Sequence, residues 1–110
     1  MVVLFFLTST AWGAQQLKTA VGQKFTITLQ SNATTGYSWQ LAKPIESKML
    51  KFLGSKYSPK VTGLVGSGGL EQWNFIALKR GRTKVSFKYV RPWEKDIQPV
   101  DTRSYQITIR

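Results

Sequence analysis

The chain has 110 residues, no cysteine, no histidine and a formal charge of +11 from sixteen Lys and Arg against five Asp and Glu. Those absences exclude disulfides, thiolate metal sites, Ser-His-Asp and Cys-His catalysis, and most zinc and copper centres. A hydrophobic content of 42% with 13% aromatics excludes a disordered chain, and the length allows one domain with a modest core.

The charge admits nucleic acid, an anionic membrane surface or an acidic protein groove as partner, beside the plainer reading of a basic domain kept soluble by its charge. The acidic inventory is Glu46, Glu71, Glu94, Asp96 and Asp101. Paired-carboxylate chemistry needs two of these facing one cleft. Glu94 and Asp96 are two apart but fall in a segment that reads as a loop, where solubility and capping explain them. The chain is therefore not expected to be an enzyme. No catalytic residue, cofactor site or metal ligand is assigned.

Residues 2–7 form an unbroken apolar run, followed by Thr8, Ser9, Thr10 and then Ala11, Trp12, Gly13 and Ala14. This pattern predicts a secretory signal over residues 1–14 and a domain over residues 15–110, hence a secreted or periplasmic protein. Cleavage after Gly13 puts Ala11 and Gly13 at the two small-residue positions; cleavage after Ala14 would put Trp12 in one of them. No Lys or Arg precedes the run, so a buried N-terminal strand is the competing reading. The run is too short to span a bilayer.

Phe25, Ile27 and Leu29 alternate with polar residues and predict a half-buried strand; residues 37–41 give a second and residues 49–57 a third, less regular one. Pro44 blocks strand continuation between the last two. Residues 71–78 place Trp73, Phe75 and Ala77 on one face. Residues 82–90 place Val85, Phe87 and Tyr89 inward, with Arg82, Lys84 and Lys88 on an outer face where the lysines would guard an edge. Between these strands, Lys79, Arg80 and Gly81 predict a tight hairpin, with Gly81 free to take positive φ. Tyr105, Ile107 and Ile109 close the chain in a last alternation. No helical stripe appears, so the expected fold is all-β, an antiparallel sandwich.

Three segments break the strand pattern: residues 32–37, 66–69 and 91–93. If successive strands run antiparallel, connections one, three and five lie at one end of the sandwich, and these are the three segments. A strand hidden in residues 60–65 would upset that parity. Within the first segment, Asn32 can bond backbone two residues on, Thr34 and Thr35 offer hydroxyls, and Gly36 permits a backbone closed to other residues. Gly66, Ser67, Gly68 and Gly69 present almost no bulk and suit a narrow groove. No Lys-Ser/Thr or helix follows, which weakens a nucleotide reading. Pro92 restricts Arg91 and itself, holding Trp93 in a defined direction with the composition of an interface hot spot.

With Tyr37 and Trp39 following Asn32, then the Gly66–Gly69 strip and then Arg91, Pro92 and Trp93 in that order, the chain resembles the chagasin family of cysteine-protease inhibitors from about residue 21 to 110. It departs at Ala33, where the family usually has proline. The resemblance implies an immunoglobulin-like sandwich acting as a reversible, competitive, non-covalent inhibitor. Thr34, Thr35 and Gly36 would sit over the catalytic thiol and histidine of a papain-like protease. Gly66 to Gly69 would line the non-primed side of the cleft, and Arg91, Pro92 and Trp93 the other side. The implied partner is a papain-like protease, met by a monomer with no membrane span and no nucleic acid. The alternative from composition alone is a basic secreted sandwich that binds nucleic acid or an anionic surface.

Overall fold

Two-residue alternation gives most strands one apolar and one polar face, and the chain buries the apolar faces by packing two sheets together. The computed structural model describes residues 14–59 and 68–110. In chain order come β1 (Gln15–Thr19), β2 (Lys24–Ser31), a 3-10 turn (Ala33–Thr35), β3 (Ser38–Leu41), β4 (Leu50–Pro59), β5 (Gly69–Ala77), β6 (Gly81–Val90) and β7 (Asp101–Ile109). One sheet has the order β1-β7-β6-β3 and the other β2-β5-β4. Among the described residues no helix is long and apolar enough to cross a membrane.

The architecture is the expected β-sandwich, with one departure from a purely antiparallel arrangement: β1 pairs parallel to β7. Sequence pattern gives little sign of β1, because Leu17 is its one apolar residue. The strand is held instead by its backbone ladder, and it precedes the strands on which the parity count depends. The possible strand in residues 60–65 lies outside the described residues.

The core takes Ile27 and Leu29 from β2, Leu50 from β4, and Trp73, Phe75 and Ala77 from β5, with Trp39 of β3 entering from the other sheet. Facing them are Val85 and Phe87 of β6 and Tyr105, Ile107 and Ile109 of β7. Trp73 meets Phe87 edge to face at 5.1 Å across the sheets, and Phe87 meets Tyr105 in the same manner at 5.9 Å. These are the offset geometries that aromatic quadrupoles favour. Burial pushes the Tyr105 phenol above its ordinary pKa, and the nearby Arg103 charge opposes that shift.

Two local expectations are corrected. The segment Lys79, Arg80, Gly81 is not a hairpin, because β5 and β6 belong to different sheets and the turn carries the chain from one to the other. Gly81 does take positive φ there, at 136°. The Arg82, Lys84 and Lys88 strip covers an outer face; β3 pairs with β6 from Phe87 to Val90, so Lys88 guards no edge, while Lys84 lies on the part of β6 that β3 does not reach. The irregularity of β4 also has a physical cause. A register shift between Phe52 and Gly54 leaves Leu53 without a partner on β5. The inward set thereby changes from Leu50 and Phe52 to Ser55 and Tyr57.

At one end of the core the alternation of β5 turns polar without leaving the interior. Glu71 is buried in phase with Trp73 and Phe75. Its Oε2 accepts from Ser31 Oγ at 2.8 Å and from the Trp39 backbone N–H at 3.1 Å, and its Oε1 accepts from Trp73 Nε1–H at 3.3 Å. One carboxylate thus joins the last residue of β2, the second residue of β3 and an indole of β5. A buried carboxylate requires such partners to offset its lost hydration. Glu71→Gln keeps the shape but sets an NH2 group against donors on one side or the other. It should cost about 1–3 kcal/mol of folding stability. Urea unfolding would read this as a lower midpoint at unchanged slope; an unchanged midpoint would mean that the carboxylate does not hold this end together.

Candidate functional site

The connection from β2 to β3 is built on Asn32, which has extended backbone and caps the 3-10 turn. Its Oδ1 accepts from the Thr34 N–H at 3.1 Å and from Thr34 Oγ1 at 2.6 Å. Thr35 Oγ1 donates to the Asn32 carbonyl at 2.7 Å. Gly36 ends the turn at φ 83°, the left-handed conformation that glycine adopts without strain. The threonine hydroxyls expected to face a partner are therefore first engaged in stiffening their own loop. Beneath it, the Asn32 N–H donates to the Tyr89 hydroxyl at 2.9 Å. Tyr89 in turn stacks on Tyr37 at 5.3 Å and leans on Trp39 at 4.7 Å. Trp39 Nε1–H is anchored on the Gln30 carbonyl at 2.9 Å.

The connection from β6 to β7 opens with a tight turn in which the Glu94 N–H donates to the Arg91 carbonyl at 3.0 Å. Pro92 occupies the second position of that turn, where its fixed φ is already suitable. Trp93 follows and is 67% exposed. It is not folded into the core, yet it is not loose. Its indole lies so close over Gly36 that a Cβ there would collide with the ring. Arg91 Nε–H donates to the Thr35 carbonyl at 3.2 Å, and its guanidinium sits 4.5 Å from the Tyr37 ring centroid and 3.6 Å from Glu94. Arg91 is a brace between the first and third loops. Glu94 is taken up by this brace, and Asp96 takes a positive φ of 59° in the turn that follows.

In the second segment, Gly66 and Ser67 lie outside the described residues. Gly68 takes φ 85°, and a Cβ there would stand 3.2 Å from the Ser31 carbonyl and 3.8 Å from Asn32 Cβ. This segment therefore enters β5 beside the base of the first loop. Gly69 is already part of a strand. It is buried in β5 between Ser31 of β2 and Pro59 of β4, and a side chain would meet Ser58, Pro59 and the Tyr57 hydroxyl. Its bareness serves strand packing and supports the loop end from below.

These contacts bring segments 32–37, 68–69 and 91–93 to one end of the sandwich, as strand parity requires. Their shared edge is a wedge of backbone and threonine with one large exposed indole beside it. Sequence reasoning missed Tyr89 and Glu71 as supports. The signal for Glu71 was present, since it shares the inward parity of Trp73, Phe75 and Ala77. Below the loops the sheets part around a cavity of about 450 Å3 lined in part by Trp39, Tyr89 and Tyr105. The cation there, Arg103, is engaged by Asp101 at 3.1 Å.

The sequence profile of the chagasin family of peptidase inhibitors matches residues 18–109. Amoebiasin-2 of Entamoeba histolytica is 33% identical over 84 residues, which cover 76% of this chain and 68% of that protein. Chagasin of Trypanosoma cruzi is 34% identical over 80 residues, covering 70% and 73%. The crystal structure of the cysteine protease inhibitor EhICP2 from Entamoeba histolytica aligns with a TM-score of 0.73 at 27% identity, over 88% of this chain and 87% of that one. The chain thus belongs to the chagasin family, inhibitors of papain-like cysteine proteases, and is not an enzyme.

Proposed function

We propose that this protein inhibits by lodging its loop end, as a monomer, in the active-site cleft of a papain-like cysteine protease. The inhibition is reversible, competitive and non-covalent. Thr34, Thr35 and Gly36 form the thin centre, held by Asn32 and Tyr37 and placed over the catalytic thiol and histidine. Gly66, Ser67, Gly68 and Gly69 line the non-primed side. Arg91 and Pro92 hold Trp93 against the other side, where it packs on an aromatic rim. The observation that carries this reading is the contact of the Trp93 indole with Gly36, joined by the Arg91 bond to Thr35. Two loops are thereby assembled before any protease arrives. Less ordering cost remains for binding, which otherwise amounts to roughly 0.5–1.5 kcal/mol per immobilised side chain.

Ala33 fits this reading despite the missing proline. The Asn32 cap, the two threonine hydroxyls and the Tyr89 bond restrict the same turn by hydrogen bonding. We further propose that residues 1–13 are an export leader and that the domain works outside the cytoplasm. The apolar run over residues 2–7, the small residues Ala11 and Gly13, and the start of β1 at Gln15 support it.

Titration of papain or cathepsin L with a fluorogenic peptide tests the first reading. Inhibition should be reversible and competitive, and Trp93→Ala should weaken it by about 1–3 kcal/mol. No inhibition of any papain-like enzyme at micromolar protein would sink the reading, and an unchanged inhibition constant for the variant would remove Trp93 as an anchor. For the leader, N-terminal sequencing of the exported protein should begin at Ala14. An exported chain still beginning at Met1 would contradict cleavage.

A further inference from the structure

Apart from the Arg91 brace, the described loop end makes little use of the +11 charge, and the fold gathers much of it elsewhere. The opposite end is formed by connections 20–23, 42–49 and 78–80, which backbone bonds tie into one surface. The Val21 N–H donates to the Arg110 backbone oxygen at 2.9 Å, Gly22 to Ala77 at 2.8 Å, and Leu78 to Met49 at 2.8 Å. Lys43, Lys48, Lys79, Arg80 and Arg82 are all exposed on or beside these connections. Lys24 and Lys51 add to the rim, both level with Ile76 of β5. Glu46 is the acidic residue of this end, and its carboxylate accepts from Thr83 Oγ1.

The remaining acidic residues, Glu71, Glu94, Asp96 and Asp101, lie at or under the loop end, as do both ion pairs recorded among the described residues. The nine residues of β5 set the two ends roughly 27 Å apart. That exceeds three Debye lengths of about 8 Å at physiological salt, so the loop-end carboxylates do not screen the cationic end. At the centre of this end stand two aliphatic side chains, Val21 at 49% and Leu78 at 43% exposure. The Gly22 to Ala77 bond places their turns side by side.

We propose that this end docks on an anionic lipid surface, with the protease-binding loops facing away from it. A ring of lysine and arginine around an aliphatic tip matches a phosphate-rich interface over an apolar layer. The cations neutralise headgroup charge while Val21 and Leu78 enter the boundary with the acyl chains. Nucleic acid fits less well. Strand binding relies on aromatic platforms for base stacking, and connections 20–23, 42–49 and 78–80 contain no aromatic residue. The exposed Trp93 is at the other end.

The test is co-sedimentation of the full chain with vesicles of pure phosphatidylcholine and of an equimolar mixture with phosphatidylglycerol. The neutral vesicles discount any apolar contribution common to both. Selective retention on the anionic vesicles, released by added salt, is expected. The combined variant Lys79→Glu, Arg80→Glu, Arg82→Glu should lower that partition by about a hundredfold or more. Lys43→Glu with Lys48→Glu, on a separate connection, should lower it as well, and Val21→Ser with Leu78→Ser severalfold. Each variant should inhibit papain as the parent does, which separates this docking from the proposed inhibition. Equal partition on both vesicles, no retention, or undiminished retention of both charge variants overturns the proposal. So does binding of a single-stranded oligonucleotide under salt conditions where anionic vesicles are not bound.

Discussion

Three donors converge on the Glu71 carboxylate from three strands, and the loop end is arranged around satisfying them. Ser31 is where β2 stops, Trp39 is the second residue of β3, and Trp73 closes the core beneath both. Fixing the first two sets the span that the chain must cross between the sheets. That span is bridged by Asn32 and a single 3-10 turn, with Tyr89 supporting it from β6. Hydrogen bonds to a charged acceptor are stronger than neutral ones, and leaving any of these donors unpaired in the interior would be costly. The core therefore does more than hold two sheets together; its polar end positions the first loop.

The third loop is fitted to the first by shape. Glycine at 36 leaves room for the Trp93 indole, and the indole covers backbone that would otherwise be bare. Arg91 reinforces the contact through the Thr35 carbonyl and the Tyr37 face. The result is a blunt edge with little to reorganise on binding, suited to filling a cleft and lacking groups that could react with one. Stiffness that proline would supply at position 33 comes instead from side-chain bonds within the turn. The charge that the inhibitory end does not use is concentrated at the other pole.

Much of this was legible in the sequence because sheet periodicity is strong in β2, β5, β6 and β7. Where it failed, a definite interaction overrode local pattern. β1 is polar and exists through backbone pairing with β7. β4 changes its inward face at Leu53, so no single alternation describes it. The turn at Lys79 to Gly81 has hairpin composition but joins two sheets, a choice made by tertiary packing. At the site, Asn32, Gly36 and Trp93 were readable as a cap, a left-handed residue and a stiffened aromatic. The packing of Gly69 within β5 was not readable, because a glycine needed for close strand packing looks the same as one needed for a loop. Arg91 was readable as a neighbour of Trp93, but its bracing of Thr35 depends on two segments being adjacent in space.

The central claim is that the first and third loops bind as one unit through the Gly36 to Trp93 contact. A double-mutant cycle on the inhibition constant for papain tests it most directly, using Gly36→Ala, Trp93→Ala and the pair. In the parent, the added methyl group displaces the indole; with Trp93 already removed, only the backbone strain at positive φ remains. The two changes should therefore be less than additive, with a coupling of about 0.5 kcal/mol or more, as for residues in contact. Strict additivity would contradict the account, because the two loops would then contribute to binding independently.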